Sequence, residues 1–265
     1  MNEEINIIVC VKQVPDPEGP PSAFEVDSEE KKVVPRGIPP VMSPFDQNAL
    51  EAALRIKDSR ECKVTVLSMG RRLAKAVLRK SLAVGADELI LLEDNSFEGL
   101  DSYWTANTLA SAIDKIGGYD LILTGRQASD WDAAQVGLGI AEILDIPGIS
   151  LARKVEVEDG SVVVERVLPD GYEVVRARTP ALVTVSNEVG DLRYAGIQEI
   201  KAVQKKAITT YCASDLGVDL SSTDQIKLLK LYPPIRETVC CFLEGETLEE
   251  AGSALALKLR EDKVI

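Results

Sequence analysis

The chain has 265 residues and no histidine, and its 43 acidic and 30 basic residues give a formal net charge of −13. The missing imidazole excludes Ser-His-Asp and Cys-His nucleophilic machinery and any zinc site with a histidine ligand. The acidic balance, with a pI near 4.7, argues against non-specific nucleic-acid binding, which needs clustered Lys and Arg.

At this length the chain makes one large domain, or one domain with an elaboration, and needs no disulfide or metal to fold. Aromatics are only 5% of residues, so the core must be aliphatic. The N-terminus, Met-Asn-Glu-Glu, is acidic and does not read as a signal peptide. No apolar run approaches the roughly 20 residues of a membrane span. The cysteines are Cys10, Cys62, Cys212, Cys240 and Cys241. An odd number without a C-x-x-C pair is expected to be reduced, as in a cytosolic protein.

In chain order, residues 5–11 form a nearly continuous apolar run, as do 64–69, 88–92 and 120–124. Such runs suit strands covered on both faces of a parallel sheet. Between the first two lies a Pro-rich stretch, 15–40, expected as a long surface excursion. Asp46 to Lys57 follows as a helix with Ala49, Leu50, Ala53, Leu54 and Ile56 on one stripe and Asp46 in the N-cap region. Residues 71–84 repeat the helical pattern, and Gly85 supplies a stop. Residues 101–116 and 133–144 read as two more helices. Strand–helix alternation implies right-handed crossovers and an α/β fold with a doubly wound, mainly parallel sheet.

After Pro147 the pattern becomes β-branched and alternating. Asp159-Gly160 and Asp170-Gly171 punctuate three strands, an antiparallel β-hairpin elaboration at about 151–179. Residues 180–185 return to the sheet, 187–220 are weakly periodic and lysine-rich, and 247–260 form a last helix. The domain reading is therefore an α/β nucleotide-binding-like core over 1–186 and a C-terminal arm over 187–265.

In an open α/β sheet, ligands sit beyond the carboxyl ends of the strands. Four segments qualify: Cys10 to Asp16, Ser43 to Asp46, Ser68 to Gly70, and Gly125 to Gly137. The last follows a strand and opens a helix, where backbone N–H groups favour an anion. No G-x-G-x-x-G follows the first strand and no Walker loop occurs. A nucleotide-like ligand and ordinary polar-capped loops both stay open. Asp130 and Asp132 form a potential carboxylate pair, but Asp favours turns and helix starts for local reasons, and that reading is preferred. Arg126 can meet a phosphate or a neighbouring Asp. Lys201, Lys205 and Lys206 are a basic patch in an acidic chain, suited to solvent or to an acidic partner. No metal site and no catalytic side chain is expected.

At these residues the chain resembles the beta (small) subunit of electron transfer flavoproteins. Val11 to Asp16 resembles that family's opening strand and loop. Ser43-Pro44-Phe45-Asp46, then Ala49-Leu50-Glu51, resembles its Asn-Pro-Phe-Asp segment and helix. Leu82 to Asp87 resembles its helix-to-strand turn. Gly125-Arg126-Gln127-Ala128 with Asp130, Asp132, Gln135 and Val136 resembles its most diagnostic loop. Asp191 to Ala195 and Asp215 to Asp219 resemble its later arm. The order and spacing of these pieces cover nearly the whole chain.

The resemblance implies an adenine-nucleotide α-hydrolase-like fold and a heterodimer with an alpha subunit that holds most of the redox FAD near the interface. It implies an electron carrier, not an enzyme, which serves acyl-CoA dehydrogenase-type flavoenzymes in acyl-CoA or fatty acid oxidation. Such a chain needs no acid–base side chain, since the flavin carries the redox chemistry. No nucleic-acid partner, no direct membrane insertion and a cytoplasmic location are expected.

By position, Cys10, Ser43, Pro44, Phe45, Asp46, Met69, Gly125, Arg126, Gln127, Ala128, Asp130, Trp131, Asp132, Ala133, Ala134, Gln135 and Val136 would surround a beta-subunit nucleotide. That nucleotide is AMP, or a second FAD in electron-bifurcating members. Ile197 takes the place of an anchoring leucine in a partner-recognition loop, beside Tyr194, Lys201, Lys205 and Lys206. The arm after residue 187 would wrap the alpha subunit.

Several positions depart from the family pattern. Trp131 stands between the two aspartates, where a small or acidic residue is common. Ala133 stands where the family often has Thr or Cys, Ser43 replaces the common Asn, Leu138 stands where Pro or another residue is common, and Val167 stands where an acidic residue near the flavin is frequent. Trp131 can stack on adenine, fill its space or point away, so AMP, a second FAD and an empty site stay open. Two rival functions fit the sequence less well. An adenine-nucleotide hydrolase or ligase would need a Gly-Ser loop where Lys12-Gln13-Val14-Pro15 stands. A self-dimerising nucleotide-binding stress-type module would have no use for the long arm.

Overall fold

The computed structural model describes residues 4–220, 226–233 and 240–265. It divides into two compact units. The larger comprises Met1–Glu25 and Val33–Leu229, the smaller Val26–Lys32 and Lys230–Ile265. Parts of the expected arm, at 221–225 and 234–239, lie outside the described residues.

The first strand, β1 (Ile5–Cys10), is the apolar run expected there. Its odd residues Ile5, Ile7 and Val9 enter one buried cluster, while Ile8 and Cys10 enter the other. A strand buried on both faces reads as continuous apolar sequence for this reason. The Pro-rich excursion begins with β2 (Gln13–Pro15) and carries β3 (Phe24–Asp27) and β4 (Lys32–Pro35). It returns as β5 (Pro40–Met42), antiparallel to β2. Thus the long loop is closed at its base by its own strands.

Helix α1 (Pro44–Ser59) starts with Pro44 in its first position, where a missing N–H is harmless. Its Leu50 and Leu54 are fully buried, each worth about 1.5–3 kcal/mol relative to exposure. Strand β6 (Cys62–Gly70) follows. The stretch 71–84, expected as one helix, is two four-residue helices instead, α2 (Lys75–Leu78) and α3 (Lys80–Ala83). Its apolar spacing is satisfied all the same, because Leu78 and Leu82 both enter the core. Gly85 ends the segment at φ +126°, a conformation that suits glycine. Strand β7 (Glu88–Glu93) leads to α4 (Ser102–Ile116), which is capped by Asp101 accepting from Trp104 N at 2.9 Å.

Strand β8 (Leu121–Gly125) precedes the diagnostic loop, and α5 (Val136–Ile143) begins three residues later than the pattern suggests. Asp132 and Ala134 take φ of 50° and 55°, which a helix cannot contain. Then β9 (Gly148–Glu158), β10 (Ser161–Leu168) and β11 (Gly171–Arg178) form the expected antiparallel elaboration. Strand β12 (Ala181–Val185) returns between β8 and β9, parallel to both. From the weakly periodic stretch come α6 (Ile197–Ala202), β13 (Thr209–Tyr211) and α7 (Ala213–Leu216). Strand β13 pairs with β7 and ends the sheet.

Among the described residues the sheet order is β11-β10-β9-β12-β8-β1-β6-β7-β13. Every pairing from β9 to β13 is parallel. Helix α1, with Leu78 and Leu82 of the two short helices, packs in one cluster, and α4 and α5 pack in the other. This is a doubly wound α/β architecture. The winding reverses at β1, whose neighbours are β6 and β8, so the switch point lies between β1 and β8.

In the smaller unit, α8 (Leu248–Glu261) is capped by Thr247 accepting from Glu250 N at 3.2 Å, and no residue of it is buried. No helix among the described residues is long and apolar enough to cross a membrane. All five cysteines are free.

Candidate functional site

The carboxyl ends of β1 and β8 are joined by one side chain. Asp46 Oδ2 accepts from Lys12 N at 2.7 Å, and Oδ1 accepts from Gly125 N at 3.0 Å. The first turn of α1 thus clamps the two strands at the switch point, where such sheets take their ligands. Asp46 is therefore no N-cap. Ser43 holds that position, and it too makes no side-chain cap. Burial raises the Asp46 carboxyl to about 7 despite the two N–H donors and the nearby Lys12 charge, and Asp130 adds to the rise. The same burial, with Asp46 close by, pushes the Cys10 thiol up to about 12. Cys10 is therefore an inert packing residue.

The diagnostic loop is tied to this clamp. Lys12 Nζ pairs with Asp130 Oδ2 at 2.7 Å, and Gln127 Nε2 donates to Asp132 Oδ1 at 2.8 Å. Asp132 thus has a local partner and Asp130 a distant one, 118 positions away, and no cluster of three or more metal-binding side chains occurs among the described residues. The Arg126 guanidinium lies over the Phe45 ring, 4.6 Å from its centroid, so it stacks rather than pairing with a neighbouring Asp. Pro44 only starts the helix, the Ala128 carbonyl accepts the turn bonds from Trp131 N and Asp132 N, and Met69 packs half-buried beside the second cluster. Gly125 is needed where it stands: a Cβ there would lie 2.6 Å from Asp46 Oδ1 and 2.7 Å from the Phe45 carbonyl carbon.

Four buried polar atoms in these strand-end segments have no hydrogen-bond partner among the described residues: Ser43 Oγ, Ser68 Oγ, Arg126 Nε and Ser129 Oγ. Buried polar groups are normally paired, so such a set asks for a polar ligand or water. Three hydroxyls and a guanidinium N–H suit the oxygens of a phosphate-bearing nucleotide. Trp131 is 62% exposed, so it does not fill the space of a buried adenine.

Trp131, Asp132, Ala133, Ala134 and Gln135 are all exposed and do not join the buried group around Asp46, and Val136 opens α5 half-buried. Lys12, Ser68 and Ser129 fall within the strand-end segments named from the sequence, although their types alone do not single them out. The charge match of Lys12 to Asp130 is the one signal that could have.

The expected docking residues lie on the segment between β12 and β13. Tyr194 is wholly exposed and Ile197 is 72% exposed. Lys201, Lys205 and Lys206 are also exposed.

A model of the electron transfer flavoprotein domain matches residues 31–216, which is most of the chain. The chain is 46% identical to an electron transfer flavoprotein subunit beta from Thermoanaerobacterium thermosaccharolyticum, over 81% of each chain. The chain belongs to the electron transfer flavoprotein beta subunit family. A subunit beta from Clostridium acetobutylicum is 41% identical over 98% of this chain and 100% of its own. The caffeyl-CoA reductase-Etf complex subunit CarD from Acetobacterium woodii is 36% identical over 98% of this chain and 100% of its own. Beta subunits of this family are electron-transfer carriers, not enzymes, and so is this chain.

Proposed function

We propose that this chain is the partner-docking subunit of a heterodimeric electron transfer flavoprotein. A larger alpha subunit holds most of the FAD near the interface. Electrons come from an acyl-CoA dehydrogenase-type flavoenzyme in the cytoplasm and leave through the same flavin. The residues after 187 serve as recognition loop and arm, and α8 lies against the alpha subunit. The observation that carries this reading is apolar surface outside the core, Tyr194 and Ile197 above all, with α8 burying no residue. Exposed apolar anchors of this kind fit hot spots of an interface.

The chain's own residues would bind and orient but move no proton. Ser43, Ser68, Arg126 and Ser129 would hold the single phosphate of AMP at the switch point, and Trp131 would cover the adenine or meet the partner subunit. A second reading, favoured by the likeness to a subunit of a reductase-Etf complex, places a second FAD there. Purified alone, the chain should hold little reducible flavin. Stoichiometric, reversibly reducible FAD on the isolated chain would favour the second reading.

Docking is tested at Ile197. Ile197→Asp puts a charge into the anchor and should slow reduction by the partner flavoenzyme at least tenfold, a cost of about 1.4 kcal/mol or more. The heterodimer should stay intact on gel filtration. Unchanged electron transfer would remove Ile197 from the anchor role.

A further inference from the structure

The segment that carries Tyr194 and Ile197 leaves the sheet after β12 and returns at β13, and it is fastened on both sides of its exposed face. On the near side, Arg193 is gripped by two carboxylates of α1. Its backbone N and Nε donate to Glu51 Oε2, and Nη2 to Glu51 Oε1, all at 3.1 Å. Its Nη1 and Nη2 donate to the two oxygens of Asp58 at 3.1 and 2.8 Å. Asn48 adds a bond from Nδ2 to Gly190 O at 2.7 Å. Asn48, Glu51 and Asp58 stand three and seven residues apart, one polar stripe on α1. Glu51 is only 7% exposed in its side chain, whereas Arg193 is 33% and Asp58 60% exposed, so the forked pair is anchored on a buried carboxylate and gains geometric specificity.

On the far side, Arg79, between α2 and α3, donates from one Nη1 to Val203 O at 2.7 Å and to Lys206 O at 2.8 Å. These carbonyls end the α6 segment. Leu192, Val203 and Ile208 pack against the first core cluster beside the fastenings. Between them, Ile197 and Ile200 remain exposed. Two arginines thus hold a segment whose Tyr194, Ile197 and Ile200 stay exposed.

We propose that Arg79 and Arg193 are positioning residues that strap residues 194–206 at both ends, holding the segment ready for a partner protein with an apolar pocket and an acidic rim. A segment ordered before encounter loses less entropy on binding, which favours association. The acidic rim follows from Lys201, Lys205 and Lys206, which steer an oppositely charged surface. This inference rests on the docking reading of Ile197 given above.

The test uses the assembled heterodimer, with an acyl-CoA dehydrogenase reduced by its acyl-CoA as the probe. Arg79→Ala should raise the KM for the dehydrogenase about three- to tenfold. It should leave kcat at saturation and the rate of reduction by dithionite unchanged. Amide hydrogen exchange over 194–206 should quicken while the exchange of β1 and β8 does not. Arg193→Ala should do the same, and Arg79→Ala carries the test if loss of the Glu51 pair unfolds that variant. An unchanged KM in Arg79→Ala, with exchange quickened or not, overturns the proposal. So does a fall in kcat with KM constant. Ile197→Asp separates the two failures: if it impairs transfer and Arg79→Ala does not, only the straps are refuted. If neither impairs transfer, the docking reading itself falls.

Discussion

Asp46→Ala should lower the stability of the chain by roughly 2–5 kcal/mol, because it leaves one buried and one part-buried backbone N–H donor without an acceptor, each costing about 1–3 kcal/mol. Lys12 N and Gly125 N both rely on this carboxyl. Urea unfolding should show the loss as a lower midpoint with an unchanged slope. An unchanged midpoint would mean that the clamp contributes nothing.

The same group makes the stability depend on pH. Burial raises the Asp46 carboxyl from 3.8 to about 7. A carboxyl whose folded pKa lies above its unfolded one binds more protons in the native state. Its contribution is therefore full below about pH 4 and is lost as pH rises through 7. Asn in its place does not titrate. The stability of the wild type relative to Asp46→Asn should thus fall between pH 4 and pH 7 and level off above. A difference that grows with pH over that range would contradict the burial argument. The groups facing Asp46 are Lys12, Asp130 and Cys10, and all are retained in both proteins.

Gly125→Ala should be comparably damaging. Its Cβ would meet Asp46 Oδ1 at 2.6 Å, the Phe45 carbonyl carbon at 2.7 Å and Asp46 N at 2.8 Å. Two of these three are backbone atoms of α1, which cannot swing aside as a flexible side chain would. The substitution must therefore part the end of β8 from the start of α1 and stretch the Gly125–Asp46 bond. Overpacking costs about 1–3 kcal/mol and a broken buried bond adds about another 1 kcal/mol. Gly171→Ala is the control, since nothing lies within 4 Å of its Cβ, and it should change stability by less than about 0.5 kcal/mol. If the two variants unfold at the same urea concentration, close approach at the switch point is not what Gly125 provides.

The alternation of apolar runs with helical stripes makes the doubly wound core readable from the residues alone. So do the hairpin signals at Asp159-Gly160 and Asp170-Gly171 for the antiparallel elaboration. What stays hidden depends on contacts distant in sequence. Asp46 in a first helical turn looks locally like a cap, and nothing in its neighbours says that it reaches Lys12 and Gly125. Residues 71–84 keep a helical spacing although the backbone breaks between Leu78 and Lys80, because both short helices face the same core. Strand β13 is three residues long, too short for periodicity to register. Arg193 and its acceptor Glu51 are 142 positions apart, so neither strap has a local signature. Trp131 is legible as an unusual residue, but only its exposure removes one of its three roles.

If this chain works as one half of a flavoprotein, the decisive measurement is the composition of the untagged native protein after purification and acid extraction. It should come as a stable complex with a larger subunit, carrying one reversibly reducible FAD together with AMP or a second FAD. A stable homodimer of this chain without flavin would contradict that role.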